Sequence, residues 1–177
     1  MTRRRATLYS ALLVGLIASV GVWNAMAPVA PRPGVPLTRP IDRILIEKAA
    51  RRMTVYRDGT ALRVYDIRLG FAPEGDKERQ GDGRTPEGVF RIDRKNPQSR
   101  FHLSLGIDYP RREHVVRAAA GGYSPGGDIF IHGQPRGVAG RQWIDRDWTA
   151  GCIAVTNAVM DELWRATEVG TVVEIRP

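Results

Sequence analysis

Five prolines fall between residues 28 and 40 (Pro28, Pro31, Pro33, Pro36 and Pro40), and no hydrogen-bonded core element can run through them. Proline lacks an amide donor and fixes φ, so the stretch is a stiff, extended spacer that divides the chain. Ahead of it, residues 8 to 27 carry no charged side chain and follow Arg3-Arg4-Arg5. A run of that length spans about 30 Å as a helix, the thickness of a bilayer's hydrocarbon. The reading is a signal or anchor segment over residues 1–27, a Pro-rich linker over 28–40, and a domain over 41–177. The arginines hold the N-terminus in the cytoplasm, which places the domain on the periplasmic side of the inner membrane, in the cell envelope. Ala25-Met26-Ala27 has the small-x-small form of a signal-peptidase site, but Pro28 would follow the cut directly, which favours an uncleaved anchor.

The chain carries a formal net charge of +8, and +5 remains once Arg3, Arg4 and Arg5 are set aside, because no acid precedes residue 28. Outside the cytoplasm the available polyanions are lipid headgroups and cell-wall polymers. Without a recognised motif or aromatic-basic interleaving, the charge does not indicate nucleic acid.

Within residues 41–177 the runs are short and glycine is frequent, which predicts a mostly β domain with a few helices. Met53 to Gly70 reads as a hairpin around Asp58-Gly59, with Leu62, Val64, Tyr65 and Ile67 roughly keeping strand alternation. Further strands are expected at Val89–Asp93, Phe101–Leu105, around Val115–Arg117, at Asp128–His132 and at Val172–Ile175. One helix is expected from Asn157 to about Thr167, capped by Thr156 or Asn157, with Val159, Met160, Leu163 and Trp164 at helical spacing. Gly81-x-Gly83 is followed by neither Gly-Lys-Ser/Thr nor a helix, so it reads as a structural or substrate-facing turn rather than a phosphate loop.

Cys152 is the chain's one cysteine, and His132 lies 20 residues before it at the end of the apolar run Ile129-Phe130-Ile131. An unpaired thiol in an exported domain is exposed to oxidation, so its retention points to use as a nucleophile. A thiol acts as thiolate and needs a base within hydrogen-bond reach, which a strand-end imidazole supplies. Gly151 leaves the nucleophile's flank open to a peptide carbonyl. Main-chain N–H groups of Gly151 and Cys152 are candidate oxyanion donors, each worth about 3 to 4 kcal/mol in acyl transfer. One cysteine and three scattered histidines show no zinc-ligand spacing, and no metal or cofactor is expected.

Ile131-His132-Gly133 followed by Thr149-x-Gly151-Cys152-Ile153 resembles the signature of the L,D-transpeptidase (YkuD) catalytic domain family. The resemblance extends to Tyr56-Arg57-Asp58-Gly59, to the run from Gly81 to Gly88 and to Ser99-Arg100-Phe101-His102-Leu103-Ser104-Leu105, as in the murein-transpeptidase branch. It implies a β-sandwich-like domain whose cysteine attacks the L-centre carbonyl of a diamino acid in a peptidoglycan stem tetrapeptide. Terminal D-Ala leaves, and an amine resolves the thioester. By that resemblance Cys152 is nucleophile, His132 is general base and acid, and the Gly133 carbonyl orients the imidazole. Thr149, Trp148, His102 and Tyr109 are then candidates to line the cleft, and Arg84 and Arg100 to meet stem-peptide carboxylates. Ala150 and Ala154 depart from the commonest family form. The wording from Asp147 to Val155 is similar to a subgroup with hydrolases that act on bonds between peptidoglycan and an anchored lipoprotein. Hydrolysis of crosslinks or of such attachments is therefore the alternative, and a non-catalytic wall-binding module the third reading.

Overall fold

The computed structural model describes residues 37–136 and 143–177. The expected anchor and most of the linker lie outside the described residues. Among those described, no helix is long and apolar enough to cross a membrane.

Among the described residues, eight strands and two helices follow one another as β1 (Arg43–Glu47), β2 (Arg52–Arg57), β3 (Thr60–Asp66), β4 (Gly88–Asn96), β5 (Ser104–Ile107), α1 (Arg112–Ala120), β6 (Phe130–His132), β7 (Ile153–Ala154), α2 (Asn157–Ala166) and β8 (Val172–Arg176). The hydrogen-bonded order is β3-β2-β1-β8-β4-β5-β6-β7. Asp58 and Gly59 both take positive φ, 50° and 74°, between the paired residues Arg57 and Thr60. That is a two-residue turn whose twist matches the flanking strands, which makes the β2–β3 hairpin a consequence of its Asp-Gly pair.

The expectation of a sandwich is corrected in one respect. Rather than two separate sheets, β4 belongs to both halves: Gly88 to Arg91 pair with β8, and Ile92 to Asn96 pair with β5, with a register shift between Ile92 and Arg94. A strand that changes partners at an irregularity bends its sheet. The result is a half-barrel, and its far edges meet where Arg68 bridges to Ala154 and Gly70 to Thr149. Ile44, Ile46, Met53, Val55, Phe90 and Ile175 fill its concave side, with Met160 and Leu163 of α2 among the same buried cluster.

Helix α2 begins as expected, with the Thr156 hydroxyl accepting the Val159 N–H at 3.3 Å. Its last turn is held by Lys95, whose Nζ donates to the carbonyls of Trp164 and Thr167 at 2.6 and 2.9 Å. The strand expected around Val115–Arg117 is instead the middle of α1. Val115 and Val116 are β-branched but exposed, and only His114 and Ala118, one helical turn apart, face the core. Three successive alanines, strong helix formers, and Gly121 at the end decide the local preference.

The stretch between β3 and β4 is pinned from inside. Buried Lys48 donates to Gly75 O at 2.6 Å, Thr85 O at 3.0 Å and Glu87 Oε1 at 2.7 Å. Asp82 receives Lys77 Nζ at 2.7 Å and the N–H groups of Glu78, Arg79 and Arg84 at 2.9 to 3.0 Å. Burial alone would raise this carboxyl, but the ammonium and the three N–H donors outweigh it and hold it down at about 2.

Candidate active site

Pairing register decides which side chains share the outer face of β4 to β7. Ser104 pairs with His132, Gly106 with Phe130, Asn96 with Ser104 and Arg94 with Gly106. Ile131 pairs with Ile153, so Cys152 comes level with Phe130. Side chains alternate along a strand, which puts Asn96, Ser104, Phe130, His132 and Cys152 on one face while Ile131 and Ile153 enter the core. These five, with Ser99, Arg100 and Phe101 from the β4–β5 connection and Asp128 ahead of β6, line a cavity of about 420 Å³.

His132 is almost fully buried. Its ring is stacked on Phe101 with centroids 4.5 Å apart and meets Trp148 edge-on at 5.6 Å. Nδ1 lies 2.7 Å from Gly133 O; a carbonyl only accepts, so Nδ1 carries the proton and Nε2 keeps its lone pair. Gly133 has no room for a side chain: a Cβ would come 2.5 Å from Asn157 Oδ1 and 3.1 Å from Phe101 O. Burial pushes the imidazole below its ordinary pKa, and the Gly133 hydrogen bond only partly opposes this.

The Cys152 sulfur is held by the main chain beside β6. Its S–H donates to Asp128 O at 3.4 Å, and the Phe130 N–H donates to Sγ at the same distance. Burial raises the thiol to about 11; the Phe130 N–H opposes the shift, the Asp128 charge adds to it, and Lys77 lowers it. At rest the pair is thus neutral thiol beside neutral imidazole. Nothing among the described residues hydrogen-bonds Nε2.

The turn that carries the cysteine is built by Thr149. This buried hydroxyl donates to Cys152 O at 2.7 Å and accepts the Gly151 N–H at 3.1 Å. The Gly151 donor is engaged within the turn, whereas the Cys152 N–H has no partner among the described residues. Gly151 sits at φ +137°, and a Cβ there would lie 2.6 Å from the Arg84 carbonyl. Glycine at 151 therefore lets the turn rest against the loop before β4. Asp147 fixes the approach to the turn: Oδ2 takes Arg51 Nε at 2.8 Å and Oδ1 takes the Leu69 N–H at 2.8 Å.

Of the other sequence candidates, Arg100 lines the cavity and Trp148 packs on the imidazole. Three are placed elsewhere. His102, at φ +69°, turns its ring to Asp161 of α2, with Nε2 at 2.7 Å from Oδ1. Tyr109 is buried against Phe90 and His114, and its hydroxyl donates to Pro125 O. Arg84 donates to Asp76 O at 3.2 Å and pairs with Glu78 at 3.1 Å. Sequence reasoning missed Asp128, Asn96, Ser99 and the Arg51–Asp147 pair, whose proximity to the cysteine depends on register and on contacts distant along the chain.

Residues 41–175 match the family model described as the L,D-transpeptidase catalytic domain. Over 93 residues the chain is 29% identical to the Escherichia coli protein YafK, named as a candidate L,D-transpeptidase, which covers 51% of this chain and 31% of that protein. The crystal structure of the helical cell shape determining protein Pgp2 from Campylobacter jejuni superposes with a TM-score of 0.59 at 26% identity, covering 78% of this chain and 48% of that one. An L,D-transpeptidase from Xylanimonas cellulosilytica shares the fold, with a TM-score of 0.51 at 18% identity over 82% of this chain and 65% of that one. The chain thus spans less than half the length of YafK and of Pgp2.

Proposed function

Because the chain belongs to the L,D-transpeptidase catalytic domain family, we propose that it is a peptidoglycan-modifying cysteine acyl-transferase acting on stem peptides. The observation that carries this reading is the opening of Cys152 and His132 into one cavity, with Nδ1–H committed to Gly133 O and Nε2 left as a proton acceptor. The sulfur turns from Asp128 O toward Nε2, which takes its proton as the sulfur bonds to the carbonyl carbon of the diamino acid's L-centre. The Cys152 N–H, unengaged within the turn, faces the oxyanion. On collapse the C–N bond breaks, and terminal D-Ala leaves with the proton from His132. An acceptor amine then attacks the thioester, gives its proton to Nε2 and frees the sulfur, which recovers that proton as thiol. Arg100 lines the same cavity, which supports a role in meeting a stem carboxylate, a group that a guanidinium binds through two parallel N–H bonds.

The test is mass spectrometry of muropeptides incubated with the full-length protein. Loss of D-Ala and a thioester adduct on Cys152 are expected, both absent in Cys152→Ala. Unchanged muropeptides with the native protein would sink the reading. Adding a competing amine separates transfer, which yields a new amide, from hydrolysis of crosslinks or lipoprotein attachments, which does not. We place the domain on the periplasmic side, held by residues 1–27. Arg3-Arg4-Arg5 and the uncharged run after them support this, and protease sensitivity of the domain in spheroplasts checks it.

A further inference from the structure

The hydrogen bond from Nδ1 to Gly133 O fixes one atom of the His132 ring, and the stack on Phe101 fixes its plane. Only together do they decide where Nε2 points. Phe101 belongs to the β4–β5 connection, and that connection and the segment after β6 are both gripped by the first turns of α2. Asn157 Oδ1 accepts the Gln134 N–H at 2.7 Å, and one turn later Asp161 Oδ1 lies 2.7 Å from His102 Nε2. A carboxylate only accepts, so Nε2 of His102 carries a proton. The two gripped segments also touch: a Cβ on Gly133 would come 3.0 Å from His102 Cβ and 3.1 Å from Phe101 O.

His102 holds φ +69°, a left-handed conformation uncommon outside glycine. The chain turns there, so that Phe101 lies on the imidazole while the Leu103 carbonyl, just beyond, takes the Gly133 N–H at 3.3 Å. Contact between His102 and Asp161 is open to water, with side chains 35% and 42% exposed, and adds little to global stability. A costly backbone beside a weakly stabilising contact persists where the surrounding geometry needs both. We propose that His102 and Asp161 are positioning residues for the general base. Their hydrogen bond holds the turn at residue 102 and, through Phe101, sets the plane of the His132 ring. Neither side chain lines the cavity, so both act through Phe101 rather than on substrate. The effect on rate rests on the acyl transfer proposed above, whereas the effect on the ring does not.

The experiment follows the histidine rings of the full-length, isotope-labelled protein by NMR titration, in parallel with D-Ala release from tetrapeptide muropeptides. His102→Asn tolerates a left-handed backbone but is too short for Asp161, whereas His102→Gln carries an amide N–H in place of Nε2 but tolerates that backbone less well. Asn should lower kcat about tenfold with KM within about twofold, and Gln should recover most of the loss. A turn that matters for its backbone alone gives the reverse order, which would overturn the proposal. Asp161→Ala, on an exposed part of α2, should reproduce His102→Asn and keeps the test open if a substitution at 102 does not fold. In both variants the His132 pKa should rise toward 6.5 as water reaches a ring no longer covered. Loss of the Asp161 charge by itself moves it the other way. In a Phe101→Leu background, adding Asp161→Ala should cost nothing further. An unmoved His132 titration, or additive losses in that pair, would overturn the positioning role. Native D-Ala release is scored separately: none removes the acyl transfer and leaves the ring titration to decide, while release with an unmoved ring removes only the positioning pair.

Discussion

At the scale of single residues, the imidazole and the sulfur have been moved in opposite directions by the same cause. Burial disfavours whichever form is charged, so the His132 pKa falls and the Cys152 pKa climbs to about 11. A preformed thiolate–imidazolium pair does not fit that environment. In the proposed acyl transfer the sulfur instead acquires its charge as substrate enters and the proton passes to Nε2. Alkylation of the free protein by iodoacetamide should therefore be slow at pH 7 and keep rising as the pH approaches 11. A rate already level at neutral pH would show a standing thiolate. The acid limb of turnover follows from the other shift. His132 must be neutral to accept the proton, and with its pKa lowered it remains neutral to more acidic conditions than a free imidazole. Activity on acidification should consequently fall only below the ordinary value of 6.5, measured as the acid-side pKa of kcat/KM.

At the scale of elements, local chemistry explains which parts of the fold were legible. Asp58-Gly59 and the capped, amphipathic α2 were readable because the information lies within a few residues. Helix α1 was not, since Val115-Val116 imitates a strand and the alanines that overrule it are neutral to periodicity. The loop before β4 was recognisable as a turn, yet its hub, Asp82, depends on donors that only the folded chain assembles. A carboxyl depressed from 3.8 to about 2 contributes stability that is fully present above its unfolded value and disappears as the pH falls through the folded one. Acid unfolding of the native protein should thus steepen between about pH 4 and pH 2. Asp82→Asn should cost about 1 to 2 kcal/mol at pH 7, after allowing for screening by water, and should flatten that limb. Circular dichroism melts across the acid range check both. The gap at Gly106 belongs to the same scale: a Cβ there would lie 2.8 Å from Arg94 Cγ, and the Arg94 guanidinium lies over the Phe130 ring, 4.5 Å from its centroid. Gly106→Ala should push Arg94 off Phe130 while the sheet still forms. Near-unchanged far-ultraviolet dichroism, with a Tm within a few degrees of the native protein, checks this.

At the scale of the whole molecule, the site exists because the sheet bends. The sequence pointed to Cys152 and His132 but held no trace of the route by which β4 turns the sheet and carries the β3 end round to the nucleophile's turn. Arg68 and Gly70, just past β3, bridge to Ala154 and Thr149, so the edges of the half-barrel meet at the Cys152 segment. The seam is tightened by Asp147, whose carboxylate joins Arg51 of the β1–β2 turn to the Leu69 main chain. Its partner is only part-buried, with side chains 33% and 17% exposed, so the pair's value to global stability is modest, about 1 kcal/mol or less. Its value to the proposed chemistry should be larger, because it lies five residues from Cys152 on a segment whose placement sets the distance from sulfur to Nε2. A misplacement of about 1 Å in such a geometry costs on the order of a hundredfold in rate. Asp147→Asn keeps the acceptor toward Leu69 but loses the charge toward Arg51. It should lower kcat about tenfold or more, leave KM within about twofold and shift Tm by only a few degrees. Steady-state D-Ala release and a thermal melt on the same preparation give the three quantities. If kcat survives while Tm falls sharply, Asp147 is a stability residue and the seam does not position the nucleophile.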